Sequence, residues 1–309
     1  MPNKNKTDNY FLTIAKVGNL NRAAELLYVS QPSLTKYIKR IEQRLGTPLF
    51  DRSVTPMQLN AAGKLYYEYL MKQNALEEEL LTQISELNRM ERGTLRLGIP
   101  PYSGQRYLPR VLKQFIARYP SVKIDLFEAK GLLIEKALAN QDIDLGIVYL
   151  PIENDNLHYR ELFSEPVLLA VPNPSGADGR LHILDGSIRD FADATFIMPH
   201  PEQKLGQIAT QLFSQIDFEP KVLFTSQNIY SILSFVAEGL GVGLLPFRGL
   251  SPWQGDVLNK ITFYRLKELD DDMWRMVALT RKNYYVPSYT EYFIELFAYY
   301  GKAAASWAV

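Results

Sequence analysis

The stretch from Ser30 to Arg40 sets hydrogen-bonding and cationic side chains opposite an apolar stripe. Leu34, Ile38, Ile41 and Leu45 recur at helical spacing. A helix from about Gln31 to Leu45 therefore turns Gln31, Ser33, Thr35, Lys36, Lys39 and Arg40 outward. Such a face can read DNA. A glutamine amide pairs with adenine N6 and N7, a lysine with guanine O6 and N7 or a phosphate, and Ser33 and Thr35 offer hydroxyls or a methyl contact to thymine. Lys39 and Arg40 lie farther along and suit phosphates, which give affinity without sequence reading. The competing reading is that any amphipathic helix has a polar face. The start of this helix argues against it: Ser30 is an N-cap candidate, and Pro32 sits in the first turn, where a missing N–H costs nothing.

The preceding residues position that face. Tyr10, Phe11, Ile14, Ala15 and Val17 give a helix over 8–17, ended by Gly18-Asn19. Asn21 is the expected cap of a short helix, Arg22 to Leu27, with Ala23, Leu26 and Leu27 inward and Ala23-Ala24 at a close crossing. Tyr28-Val29-Ser30 is the break, and Gly46 the stop of the longer helix. A capped helix, a tight turn and a longer capped helix form the unit that sets its second helix in the major groove. Charge agrees with a polyanionic partner. Residues 1–65 carry net +6, residues 66–92 net −3 and the remainder net −3, although solvated basic faces are also common.

The stretch FLTIAKVGNLNRAAELLYVSQPSLTKYIKRIEQRLGTPLFDR (11–52), followed by LNAAG at 59–63, resembles the DNA-binding segment of LysR-type transcriptional regulators. The likeness covers the first 65 residues without a gap. It implies a winged helix-turn-helix in which Ser30, Gln31, Pro32 and the outward residues of the following helix meet DNA. Leu49-Phe50 would anchor the wing, and Arg52 would approach the DNA backbone or minor groove. Two departures stand out: Ser53 to Gln58 has none of the basic residues common in the family's wing, and Asn60 replaces the usual Thr, an equally good cap.

From Ala61 to Met90 there is no proline. Counting sevens gives one seam of Ala62, Tyr69, Leu76, Gln83 and Met90, and another of Tyr66, Gln73, Leu80 and Leu87. Either this helix pairs with a second copy or it packs on its own chain. The resemblance implies an antiparallel homodimer through this linker helix, with a homotetramer usual in the family. A dimer would face a dyad-symmetric operator on double-stranded DNA. Glu91-Arg92-Gly93 reads as a hinge.

The remainder reads as α/β. Strand, helix, strand, helix, strand over 94–149 implies a parallel sheet with right-handed crossovers. A similar unit spans 166–246, strands return at 261–266 and 275–280, and a helix closes over 288–300. The likeness to the LysR-type family continues more loosely through GTLRLGIPP, DIDLGIVY, EPVLLAVP and VAEGLGVGLLP, and implies a two-lobed fold similar to periplasmic binding proteins. The expected architecture is α/β with an all-α N-terminal part. It comprises a winged helix-turn-helix over 1–64, a linker helix over 65–91 and an effector-binding domain over 92–309. Lobe I is 92–164 plus 268–309, and lobe II is 165–267.

In open α/β sheets ligands bind beyond the carboxyl ends of strands. The candidates are Pro101, Tyr102, Ser103, Gly104, Tyr149, His200, Ser226 and Gln227. Ser103-Gly104 and Ser226 precede expected helices, whose free N–H groups favour an anionic small-molecule effector such as a carboxylate. Ser103 and Ser226 could equally be plain N-caps, His200 a surface-loop residue, and Tyr102 and Tyr149 packing rather than cleft walls. Glu128 to Gly131 offers no hydroxyl where the family often has one.

Other chemistries find little support. The chain has no cysteine, which removes disulfides, thiolate metal sites and a cysteine nucleophile. His158, His182 and His200 lack metal-ligand spacing; Ser103 lies in PYSGQ, not a nucleophile elbow; Gly239 to Gly243 follows a helix, unlike a dinucleotide loop. No enzyme activity, cofactor or metal is expected. The start is not a signal peptide, and the apolar runs 167–171 and 239–247 are too short to span a bilayer, so the expected location is cytoplasmic, away from membranes. The expected function is a sequence-specific, effector-modulated transcription regulator. The alternative is a small-molecule binding or transport protein with a non-DNA-binding helical block at its N-terminus.

Overall fold

The computed structural model describes residues 4–87, 92–173, 182–247, 257, 259–282 and 284–303. Met90 and Glu91, expected in the seam and hinge, lie outside them, as does the side chain of Leu87. The chain divides into two compact units, 1–88 and 89–309.

The first unit runs α1 (Lys4–Val17), α2 (Leu20–Leu27), α3 (Gln31–Leu45), β1 (Phe50–Asp51), β2 (Gln58–Leu59) and α4 (Ala61–Leu87). Gly18, at φ 64°, ends α1. The cap of α2 is Asn19, not Asn21: its backbone is extended, so its side chain turns back to accept from Asn21 N and Arg22 N at 2.9 and 3.1 Å. With the helix starting at Leu20, Ala23 and Ala24 face the core and Leu26 is exposed, against expectation. Tyr28 turns left-handed at φ 54° and closes α2. On α3, Leu34, Tyr37, Ile38 and Ile41 are buried, whereas Leu45, expected inward, lies in the last turn and is exposed. Phe11, Ile14, Leu49, Phe50, Tyr66 and Leu70 complete this core, so the start of α4 belongs to it. The wing is the antiparallel pair β1 and β2, with Phe50 opposite Leu59.

The second unit begins with β3 (Gly93–Ile99), α5 (Pro101–Arg118), β4 (Val122–Glu128), α6 (Gly131–Ala139), β5 (Leu145–Tyr149) and β6 (Leu157–Glu165). It continues through β7 (Val167–Pro172), β8 (His182–Gly186), β9 (Thr195–Pro199), α7 (Lys204–Gln215), β10 (Lys221–Ser226), α8 (Ile229–Ala237) and β11 (Gly243–Pro246). It closes with β12 (Ile261–Leu266), β13 (Trp274–Arg281) and α9 (Ser288–Ala303). One sheet has the order β4-β3-β5-β13-β6. The other combines β11-β7-β12-β8 with the parallel pair β10-β9, joined by a bridge from Phe196 to Val242. Neither sheet is wholly parallel: β13 runs antiparallel to β5 and β6, and β7 antiparallel to β11 and β12. The reason is connectivity. β6 and β13 carry the chain out of and back into the first lobe, and Trp274 pairs with Glu165, so the two crossings lie side by side. β6, whose LHYRELFSE is too polar to read as a buried strand, was not expected. A single apolar cluster runs from Leu97 and Phe115 through Phe163 and Trp274 to Phe196 and Phe213, spanning both lobes.

Candidate functional site

The outward face of α3 stands as its spacing requires. Ser30, Pro32, Ser33, Lys36, Lys39 and Arg40 are exposed, and Gln31 and Thr35 are half-buried. Ser30 holds the N-cap position without capping a backbone N–H; its hydroxyl instead meets that of Ser33 at 2.7 Å. Gln31 Nε2 donates to Thr35 Oγ1 at 2.9 Å, one turn on. That bond uses one of the amide's two N–H groups and fixes its plane, leaving the other N–H and Oε1 as the donor and acceptor that an adenine edge requires. The face lines a groove of about 800 Å³ whose far wall is Tyr10 of α1, edge-on to Tyr37 at 5.5 Å. Tyr10 and Gln43 were not singled out as candidates. Tyr37 falls three residues after Leu34, a spacing that could have marked it as part of the stripe. Arg52 does not stand free beside the wing: it pairs with Glu42 of α3 at 3.3 Å, and Glu42 also accepts from Leu49 N at 2.9 Å. Asp51 is held below the ordinary carboxyl range by the side-chain and backbone hydrogen bonds from Ser53.

In the second unit the strand ends of the two lobes face each other. α5 begins at Pro101, so Tyr102, Ser103 and Gly104 lie in its first turn rather than ahead of it, and Pro100 occupies the cap position. Ser103 is fully buried, and its hydroxyl has no partner among the described residues. The plain N-cap reading therefore fails for Ser103. It fails for Ser226 too: Asn228 caps α8 through Tyr230 N, while Ser226 ends β10 and accepts from Asn228 N at 3.2 Å. His200 N donates to Ser226 O at 2.9 Å, and Gln203 Nε2 to Gln227 O at 2.6 Å, which ties the ends of β9 and β10 together. Pro101 and Gln227 are exposed, and His200 Nδ1 accepts from Glu202 N at 3.3 Å.

Tyr102 meets Tyr230 of α8 across the lobes, ring centroids 5.1 Å apart, which brings two helix starts together. Tyr149 stacks on Trp274 at 4.0 Å and donates its hydroxyl to the buried Glu165 at 2.6 Å. The hydroxyls of Tyr102 and Tyr230 and the indole N–H of Trp274 are buried without partners among the described residues. Burial, and secondarily the charge of Glu165, pushes the Tyr102 and Tyr149 hydroxyls well above the ordinary tyrosine value, so both remain donors at neutral pH. Glu165 and Trp274 sit where the chain crosses between lobes and Tyr230 in the first turn of α8, places that periodicity alone does not mark as a site.

Two families match this arrangement: the bacterial regulatory helix-turn-helix protein, lysR family, over residues 9–64, and the LysR substrate binding domain over residues 88–301. The chain belongs to the LysR family of transcriptional regulators. It is 30% identical over 256 residues to the HTH-type transcriptional regulator YcgK of Bacillus subtilis (strain 168), covering 78% of this chain and 79% of that one. It is 28% identical to HcaR, the Hca operon transcriptional activator of Escherichia coli (strain K12), covering 77% of this chain and 79% of that one. The solved structure of Corynebacterium glutamicum OxyR shares the fold at TM-score 0.63 and 19% identity, covering 100% of this chain and 95% of that one. Full-length BenM does so at TM-score 0.53 and 21% identity, covering 97% of each. This LysR-family regulator therefore joins a helix-turn-helix DNA-binding domain to an effector-binding domain, and the transport alternative is set aside. Among the described residues, no helix is long and apolar enough to cross a membrane, and no group of three acidic or histidine side chains could hold a metal ion.

Proposed function

We propose that this regulator reads a dyad-symmetric operator with two copies of α3, and that an anionic small molecule in the inter-lobe cleft modulates it without any cofactor or catalysis. The observation that carries the first half is α3 itself: one side closed in core, the other turned outward from Ser30 to Arg40, with the Gln31 amide held by its hydrogen bond to Thr35. Gln31, Ser33, Thr35 and Lys36 contact bases; Ser30, Pro32, Lys39 and Arg40 set the approach to the backbone. Arg52 reaches phosphate only by leaving Glu42. Two copies come together through α4, where Leu65, Tyr69, Leu76, Leu80 and Ile84 remain exposed within the unit, giving a homodimer and, with a second interface, a tetramer. Residues 1–64, 65–91 and 92–309 serve as reading head, linker and effector domain, working in the cytoplasm beside their DNA.

Tyr102, Ser103, Tyr230 and Trp274 hold four buried donors that lack acceptors among the described residues, and a carboxylate reaching them through the cleft would satisfy them. Gly104, Tyr149, His200, Ser226, Gln227 and Pro101 line or brace the same strand ends. The test is a gel shift on the DNA flanking the protein's own gene, over a range of salt. Affinity should fall with a log–log slope near −0.9 per phosphate contacted, and Lys39→Ala should make that slope shallower by about 1. No shift at any salt would overturn the DNA reading. A thermal-shift series of small carboxylates tests the cleft: a binder whose effect disappears in Ser103→Ala with Tyr102→Phe supports it, and one indifferent to both overturns it.

A further inference from the structure

The lobes meet at their strand ends through contacts of unequal strength. Lys130 and Glu202 are 3.6 Å apart with most of the Glu202 side chain in solvent, a pair worth little. Lys204 and Glu135 differ. Lys204 opens α7 in the second lobe and Glu135 lies on α6 in the first; their charged atoms are 3.2 Å apart, with side chains 12% and 1% exposed. Lys204 Nζ also donates to Pro151 O, and the second carboxylate oxygen of Glu135 accepts from Glu153 N at 2.9 Å. Among the described residues, both acceptors of the Lys204 ammonium therefore belong to the opposite lobe. Removing either partner while the lobes stay together leaves a charge largely out of solvent, and a buried charge without its partner is expensive.

We propose that Lys204 and Glu135 form an ionic latch that holds the two lobes together across the cleft, and that the regulator changes state when the latch parts. The first half stands on geometry alone; the second rests on the cleft being the effector site. Lys204 and Glu135 are positioning residues. They fix how far α7 stands from α6, and through that how closely the two lobes approach where Tyr102 meets Tyr230.

The test is amide hydrogen exchange on the full chain without ligand, comparing wild type, Lys204→Met, Glu135→Gln and the double variant Lys204→Met with Glu135→Met. Each single variant should speed exchange over 131–135, 151–157 and 204–208 by on the order of 100-fold, because one charge is left alone. The double variant, which leaves no buried charge, should return to within a few-fold of wild type. Unchanged exchange in the single variants overturns the latch, and so does a double variant as fast as the singles, or a rise spread through both lobe cores. A DNase I footprint on the DNA flanking the gene tests the second half. Lys204→Met should alter the protected length or affinity and the double variant should restore it; an identical footprint in all variants overturns the regulatory role while leaving the latch standing. Because the exchange measurement contains no effector, its failure is distinct from a failure of the cleft reading.

Discussion

Gly63→Ala tests how the reading head is fastened to the helix that follows it. A methyl on Gly63 would lie 2.0 Å from Leu49 O and 3.0 Å from the Leu59 side chain. The carbonyl cannot swing aside. Leu49 O accepts from Asn60 N at 3.1 Å, Leu49 N donates to Glu42 of α3 at 2.9 Å, and the Leu49 side chain is fully buried. Relief therefore requires α4 to back away by about 1 Å or more, at a cost of about 1–3 kcal/mol for overpacking. The same movement stretches the cap in which Asn60 Oδ1 accepts from Gly63 N at 2.8 Å, adding about 1 kcal/mol. Thermal unfolding should register about 2–4 kcal/mol of destabilisation. DNA affinity should also fall, since the wing and the end of α3 share the displaced peptide. Gly46→Ala is the control: among the described residues nothing lies within 4 Å of its added methyl, and only its φ of 70° is strained, about 1–2 kcal/mol. If Gly63→Ala melts and binds like wild type, or loses no more than Gly46→Ala, the fastening described here is wrong.

Asp144→Ala removes a buried carboxylate gripped by Arg96 Nε and NH2, both at 2.9 Å, and should destabilise the second unit by about 3 kcal/mol, read as a lower melting temperature; a shift under one degree would contradict it. Leu76→Lys with Leu80→Lys should weaken self-association by at least about tenfold in sedimentation, since each exposed leucine is worth about 1.5–3 kcal/mol when buried between copies; unaltered association would move the interface elsewhere. Burial is the largest single influence on Glu268 and raises it, but the hydrogen bonds from Ser187 Oγ and Ile188 N, with the charge of Lys267, together outweigh burial and hold it below its ordinary value. Its contribution is thus present above the unfolded value and lost as pH falls through the folded one. Glu268→Gln should be less stable than wild type near pH 7, with the gap closing below pH 4; a gap independent of pH would refute this.

The head was legible because local rules dominate it. Capping, the stripe on α3 and the small pair Ala23-Ala24 are decided within a few residues, and only the ends slipped, as with Asn19 for Asn21 and the outward Leu26. The effector domain was legible as α/β units but not as mixed sheets. β6 and β13 are defined by pairing across more than a hundred residues, and the alternation in LHYRELFSE is too weak to show it. The cleft was half visible. Strand ends pointed to Tyr102, Ser103 and Tyr149, whereas Tyr230, Glu165 and Trp274 are brought beside Tyr102 and Tyr149 by tertiary contacts that no spacing encodes.

The most direct test of the account is selection of binding sites from random duplex DNA by wild type, Gln31→Ala and Lys39→Ala. If this face of α3 reads the operator, wild type recovers a two-fold symmetric site, Gln31→Ala loses preference at one base pair in each half-site, and Lys39→Ala recovers the same site with uniformly weaker binding. A Gln31→Ala protein that selects the wild-type sequence unchanged would contradict the claim that this face of α3 reads the operator.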